Sequence, residues 1–147
     1  MKKTEMLNDM IEAYSCSEPG FLPVVDYEGW RVAFYNTADA DMPKNFVTFD
    51  IHTGTDEVFV LLSGRCMLLL GGHGEEFGEI TGVDMQPDVV YNVKKGTWHA
   101  HALTQGSKVL IVENSPPVFG TTVKHRLTPD EQAALVEVCA QNGYYNW

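Results

Sequence analysis

The stretch "DIHTGTDEVFVLLSG", Asp50 to Gly64, sets a carboxylate, an imidazole and an acidic pair directly before an almost unbroken apolar run. A second stretch, "KKGTWHAHAL" from Lys94 to Leu103, carries His99 and His101 two residues apart. Imidazole nitrogen and carboxylate oxygen are the donors that zinc, iron, nickel and manganese accept. Alternate side chains of a strand point the same way. Asp50 and His52 therefore share one face, Glu57 shares a face with Phe59 and Leu61, and His99 shares a face with His101. A sharp bend at "TGTD" would bring His52 and Glu57 together. A divalent metal in such a site acts as a Lewis acid on a carbonyl or carboxylate oxygen. His101 or Tyr91 could then move a proton, imidazole being the usual group for that at neutral pH.

These residues must be held by strands. From Phe21 to Glu113 the chain runs through short β-rich segments: "FLPVV", "WRVAFY", "FVTFDIH", "EVFVLLS", "RCMLLL", "VVYNV", "WHAHAL" and "KVLIVE". Turn signals such as "GGHGEE" and "TGVD" separate them. Many short strands at this spacing predict an all-β sandwich or barrel. Two helices are expected to flank it. Met6, Met10, Ile11 and Tyr14 recur at spacings of three and four, which predicts a short amphipathic helix over residues 1–14. At the other end Thr128 and Glu131 form a capping box, Pro129 takes the first helical position, and Gly143 supplies a stop. The C-terminal helix is thus expected over about 129–142, with the barrel over about 21–113, in one domain of residues 1–147. The aromatic tail "YYNW" is expected to dock on its own fold.

The totals exclude several function classes. The net charge is −10, from 20 acidic and 10 basic residues, so nucleic acid and anionic membranes are poor partners. No apolar run approaches the roughly 20 residues that span a bilayer. Glu5, Asn8, Asp9 and Glu12 interrupt any signal-peptide core. Cys16, Cys66 and Cys139 are odd in number and widely spaced, as expected of reduced thiols in the cytoplasm.

The two stretches together resemble the cupin superfamily. Its first motif is Gly-x5-His-x-His-x4-Glu-x6-Gly, and the same frame here runs Lys44, Asp50, His52, Glu57, Gly64. Its second motif is Gly-x5-Pro-x-Gly-x2-His-x3-Asn, and the frame here runs Asp88, Lys94, Gly96, His99, Leu103. His52, Glu57, Gly64, Gly96 and His99 match. Asp50 stands where the family has its first histidine, and Lys44, Asp88, Lys94 and Leu103 also depart. The resemblance implies a double-stranded β-helix, or jelly roll. It implies one divalent transition metal (zinc, nickel, iron or manganese) on His52, Glu57 and His99, with the fourth position open to Asp50 or His101. Function within the family is diverse, and fold does not fix it. Two classes stand open: a metal-dependent isomerase, lyase or oxygenase acting on a small polar metabolite such as a sugar or organic acid, and a non-catalytic sensor of a metabolite, with or without metal.

The remaining candidates have structural expectations. His73 and the pair Glu75 and Glu76 belong to a solvated turn, His125 to a connection, and Trp98 to packing on the face opposite His99. Tyr91 shares parity with Val89 and Val93 and suits either core or pocket. Val58, Val60, Leu62, Met67 and Leu69 point away from the barrel interior, and an apolar outer face of that extent needs cover, from a second copy in a homodimer or from the flanking helices.

Overall fold

β-branched and aromatic residues are prominent in runs such as Trp30–Asn36 and Val90–Val93, as a pleated and half-buried surface favours. The computed structural model describes residues 3–115 and 122–144. Along them run β1 (Lys3–Asn8), β2 (Ile11–Ser15), β3 (Gly20–Tyr27), β4 (Trp30–Asn36), β5 (Thr48–His52), β6 (Glu57–Ser63) and β7 (Cys66–His73). There follow β8 (Thr81–Asp84), β9 (Val90–Val93), β10 (Thr97–Leu103), β11 (Lys108–Asn114), β12 (Thr122–Arg126) and the helix α1 (Pro129–Gln141). Two single-turn 3-10 helices, Asp39–Asp41 and Pro43–Asn45, join β4 to β5.

The strands form two antiparallel five-stranded sheets, ordered β12-β5-β10-β7-β8 and β3-β4-β11-β6-β9. Alternation fixes which side chains meet between them. In β11 every second residue is buried, so Val109, Ile111 and Glu113 face inward. Phe59 and Leu61 of β6 meet them from the same sheet, and Leu68 of β7 and Leu103 of β10 from the other. The strand pattern predicts an all-β sandwich or barrel, and the two sheets form the jelly roll that the motif resemblance implies. Its eight anticipated strands are joined by β12, which the sequence signals did not mark, and by β8, whose residues TGVD read as a turn but pair with β7 from Met67 to Leu70.

β7 and β10 are buried on both faces. Met67, Leu69 and Ala102 point outward, yet each is fully buried against Leu135, Cys139 and Tyr144. The cover is α1 and the residues after it, so this part of the outer face needs no partner subunit. The helix begins as expected: Thr128 accepts from the Glu131 amide, and Glu131 Oε2 accepts from the Thr128 amide at 2.8 Å. It docks across β8 at Gly82, where an added Cβ would lie 2.7 Å from Met67 Sδ. Tyr144 anchors the far end through its hydroxyl, which donates to Asp84 at 2.6 Å. The rest of the aromatic tail lies outside the described residues.

The N-terminus differs from expectation. Residues 3–15 form an antiparallel hairpin of β1 and β2, with Lys3 opposite Ser15, rather than a helix. The three-and-four spacing finds no apolar surface to bury, for Met10 is 88% and Ile11 52% exposed. A helix of that length without a buried face is marginal in water. Pairing the two halves satisfies their backbone groups instead.

Gly64, the glycine of the first motif frame, turns β6 into β7 at φ +75°. A Cβ there would also meet the Ser107 backbone at 2.8 Å. Strain and clash act together, so Gly64→Ala is expected to cost about 2 kcal/mol or more. The check is a lower urea midpoint with an unchanged denaturant slope.

Candidate metal centre

Three strands bring the predicted ligands to one point. His52 ends β5, Glu57 begins β6 after the bend at residues 53–56, and His99 lies in β10 directly opposite Asp50. The amide of Gly96, at φ +79°, donates to the His52 carbonyl at 2.7 Å and ties the approach to β10 to the end of β5. The donor atoms of His52, Glu57 and His99 all lie within 4.8 Å of one another. Glu57 and His99 are buried, and His52 is partly so.

One oxygen is shared. His52 Nε2 lies 3.0 Å and His99 Nε2 2.8 Å from the same Glu57 Oε2. His99 Nδ1 faces the Thr97 carbonyl at 2.9 Å. A carbonyl only accepts, so that nitrogen carries the hydrogen. In neutral His99 the Nε2 lone pair therefore confronts a carboxylate oxygen, and a cation must sit between them: a proton or a metal ion. The electrostatics agree. Burial alone would push Glu57 up, but hydrogen bonds and charge from His52 and His99 hold it down at about 2. Burial would push His99 down, yet Glu57 raises it above the usual imidazole range.

The donor set fits a metal. Bonds from these donors to such ions are about 2.0–2.2 Å, so two ligands at a right angle lie about 3 Å apart. The nitrogen–oxygen separations of 3.0 and 2.8 Å match that. Two histidines and one carboxylate with open positions are the set of non-haem ferrous oxygenases, and zinc takes the same donors. Thr122 Oγ1, 3.0 Å from His52 Nδ1, fixes the orientation of that ring from β12.

Neither candidate for the fourth position joins the cluster. Asp50 lines the same cavity, but its Oδ1 accepts from Lys124 Nζ at 2.8 Å. His101 points into the cavity one layer deeper. Its ring stands edge-on to Tyr35, with centroids 4.4 Å apart, and 5.9 Å from Phe59. Its Nε2 is buried with no hydrogen-bond partner among the described residues, and burial holds the imidazole below its ordinary pKa. Tyr91 lies elsewhere: it packs on the inner core, and its hydroxyl accepts from the Gln86 amide at 2.8 Å. His73 is exposed with Nε2 at the Lys95 carbonyl. His125 stacks on Phe77 and pairs with Glu131 at 2.9 Å, and Trp98 is buried in the core beneath α1.

The cavity above the cluster has a volume of about 390 Å³. Sequence patterns did not single out several of its wall residues: Arg31, Tyr35, Asp41, Glu113 and Thr122. Arg31 and Glu113 had a usable signal, since both are charged residues at inward parity on otherwise apolar strands. Tyr35 donates to Asp41 at 2.7 Å, and that contact depends on a 3-10 turn that no local pattern announces.

No family model matches the chain, and no curated protein matches it in sequence. Solved structures do match in fold. A hydroquinone 1,2-dioxygenase from Sphingomonas sp. TTNP3 with 4-hydroxybenzoate bound aligns over 69% of this chain and 70% of its own, at 10% identity and a TM-score of 0.52. A cupin-2 domain containing protein from Shewanella frigidimarina aligns over 68% and 85%, at 14% identity and a TM-score of 0.49. The likeness is one of fold, a double-stranded β-helix of two antiparallel sheets.

About one divalent transition-metal ion per chain (zinc, nickel, iron or manganese) is expected by elemental analysis of protein never exposed to chelator, and zinc serves as the titrant below. His99→Ala should lower zinc affinity at least about 100-fold, whereas Asp50→Asn, outside the ligand cluster, should cost about tenfold or less. Binding must displace the proton that His99 holds. Affinity measured by calorimetry should therefore fall as pH drops through the raised His99 pKa.

Proposed function

We propose that the protein is a metal-dependent cupin enzyme that acts on a small polar metabolite. The observation that carries this is the His52–Glu57–His99 cluster, whose two imidazole nitrogens converge on one carboxylate oxygen, on the wall of a cavity large enough for a small molecule. The metal, when bound, supplies Lewis-acid polarisation of a substrate oxygen at a coordination position that the three protein donors leave free. Glu57 and His99 hold that position from buried strands, and Thr122 keeps the His52 ring in line.

His101 is the proton carrier in this scheme. Its ring lines the cavity, its Nε2 is buried without a hydrogen-bond partner among the described residues, and burial lowers its pKa, which suits the ring to accept a proton from a bound substrate. Tyr35 packs edge-on against the ring. Phe59 and Ile111 line the same cavity beside it. The dioxygenase among the fold neighbours supports oxygen chemistry as one outcome, and the two-histidine, one-carboxylate set supports it as well. The test is a metal-loaded screen of small organic acids and sugars for stabilisation, followed by turnover assays on the hits. His101→Ala should keep its full metal content and lose about 10²–10⁴ in turnover. Turnover unchanged in His101→Ala, or no metal retained by the wild-type protein, refutes the scheme.

We also propose a homodimer, through the sheet that α1 leaves uncovered. Leu22, Phe34, Leu110, Val60 and Val90 stand in register as one apolar row across all five strands of that sheet. Val90 is 67% exposed at its end. Light scattering should give about twice the 16.4 kDa chain mass. Leu110→Glu, at the centre of the row, should give the monomer mass with the fold retained.

A further inference from the structure

The four carboxylates of the cavity wall are all engaged within the fold. Asp41 accepts from the Tyr35 hydroxyl and the Ala38 amide, Asp50 from Lys124, Glu57 faces two imidazoles, and Glu113 accepts from Arg31. Arg31 is not filled in return. It is the one arginine or lysine among the described residues of the wall. Its Nε and Nη2 converge on a single oxygen, Glu113 Oε1, at 2.9 and 2.7 Å. A guanidinium carries five N–H bonds in a planar fork. The second on Nη2 and both on Nη1 have no protein partner among the described residues. The side chain is only 20% exposed, and the Phe21 ring covers it at 5.0 Å. A shielded guanidinium with three idle donors suits a planar anion, which takes two parallel N–H bonds.

Its place in the sheet relates it to the metal cluster. Arg31 is opposite Glu113, and Glu113 is opposite Glu57, in one row across β4, β11 and β6. Two strand spacings separate Arg31 from the ligand Glu57, or roughly 10 Å between backbones. One layer deeper the same sheet presents apolar Phe59 and Ile111, and His101 is the imidazole that faces them from the other sheet.

We propose that Arg31 is the anchor for a substrate carboxylate, and that the substrate is a small organic acid with an apolar body rather than a neutral sugar. This rests on the metal-enzyme reading for the other end of the molecule. Glu113 is the resident counter-ion: it satisfies Arg31 in the empty cavity and competes with the incoming carboxylate for the fork.

The test is calorimetric titration with benzoate and with benzamide, its neutral counterpart, into zinc-loaded and chelator-treated protein. Benzoate should bind at least about tenfold more tightly than benzamide, as a charge-assisted pair requires. Arg31→Gln should reduce benzoate to the benzamide level. Glu113→Gln removes the competitor and should tighten benzoate several-fold without altering benzamide, and it decides the matter alone if Arg31→Gln fails to fold. Equal binding of the two probes, unchanged benzoate affinity in Arg31→Gln, or weaker or unchanged benzoate affinity in Glu113→Gln overturns the anchor. Zinc stoichiometry in the same samples reports on the metal separately. Bound zinc without a benzoate preference refutes Arg31 alone, and an Arg31-dependent preference without zinc refutes only the metal.

Discussion

One carboxylate oxygen organises this protein. Glu57 Oε2 stands within 3.0 Å of two imidazole nitrogens that come from separate strands. The Thr97 carbonyl dictates the tautomer of one of them, so the lone pair of His99 Nε2 faces the carboxylate oxygen. Either a proton shared along that contact or a metal ion has to bridge the two atoms. Burial raises the stakes, because an uncompensated charge in a low-dielectric interior is expensive. The bend between β5 and β6, the Gly96 contact with His52 and the register of Asp50 with His99 all serve to keep that meeting point fixed.

β10 explains how a small chain holds such a site rigidly. Its inward residues build the cluster and the cavity wall, while its outward Trp98, Ala100 and Ala102 are packed beneath α1. Small residues at two of those outward positions let the covering layer approach closely. A strand buried on both faces has little freedom to twist, so His99 and His101 inherit their directions from packing on the opposite side. The capping box of α1 and the docking of Tyr144 on Asp84 thereby support the cluster at a distance.

The sequence was most legible where spacing alone carries meaning. His52, Glu57 and His99 fall on a frame whose strands and bends are short-range, and they meet as that frame predicts. The two glycines of the frame have separate physical reasons, both with positive φ and both placed where a side chain would press on a neighbour. Legibility failed where a long-range partner decides the outcome. The Met6–Tyr14 pattern suits a helix but has no surface to receive one, so a hairpin forms. Met67 and Leu69 read as exposed because nothing local shows that a helix some 70 residues later will cover them. Asp50 stands open beside His101 as a fourth ligand until Lys124, from a strand without a clear signature, pairs with it. The Arg31–Glu113 pair spans 82 residues and is visible only once the register of β4 and β11 is known.

β12 is an edge strand, paired only with β5. It nevertheless supplies both the hydroxyl that orients His52 and the ammonium that holds Asp50. Edge strands open in local fluctuations that require far less free energy than global unfolding. A single fraying event at β12 releases the His52 ring and frees the Asp50 carboxylate together. An ion held in this centre would have its lifetime coupled to the breathing of a peripheral strand, and amide exchange along Thr122–Arg126 would then serve as a clock for its release.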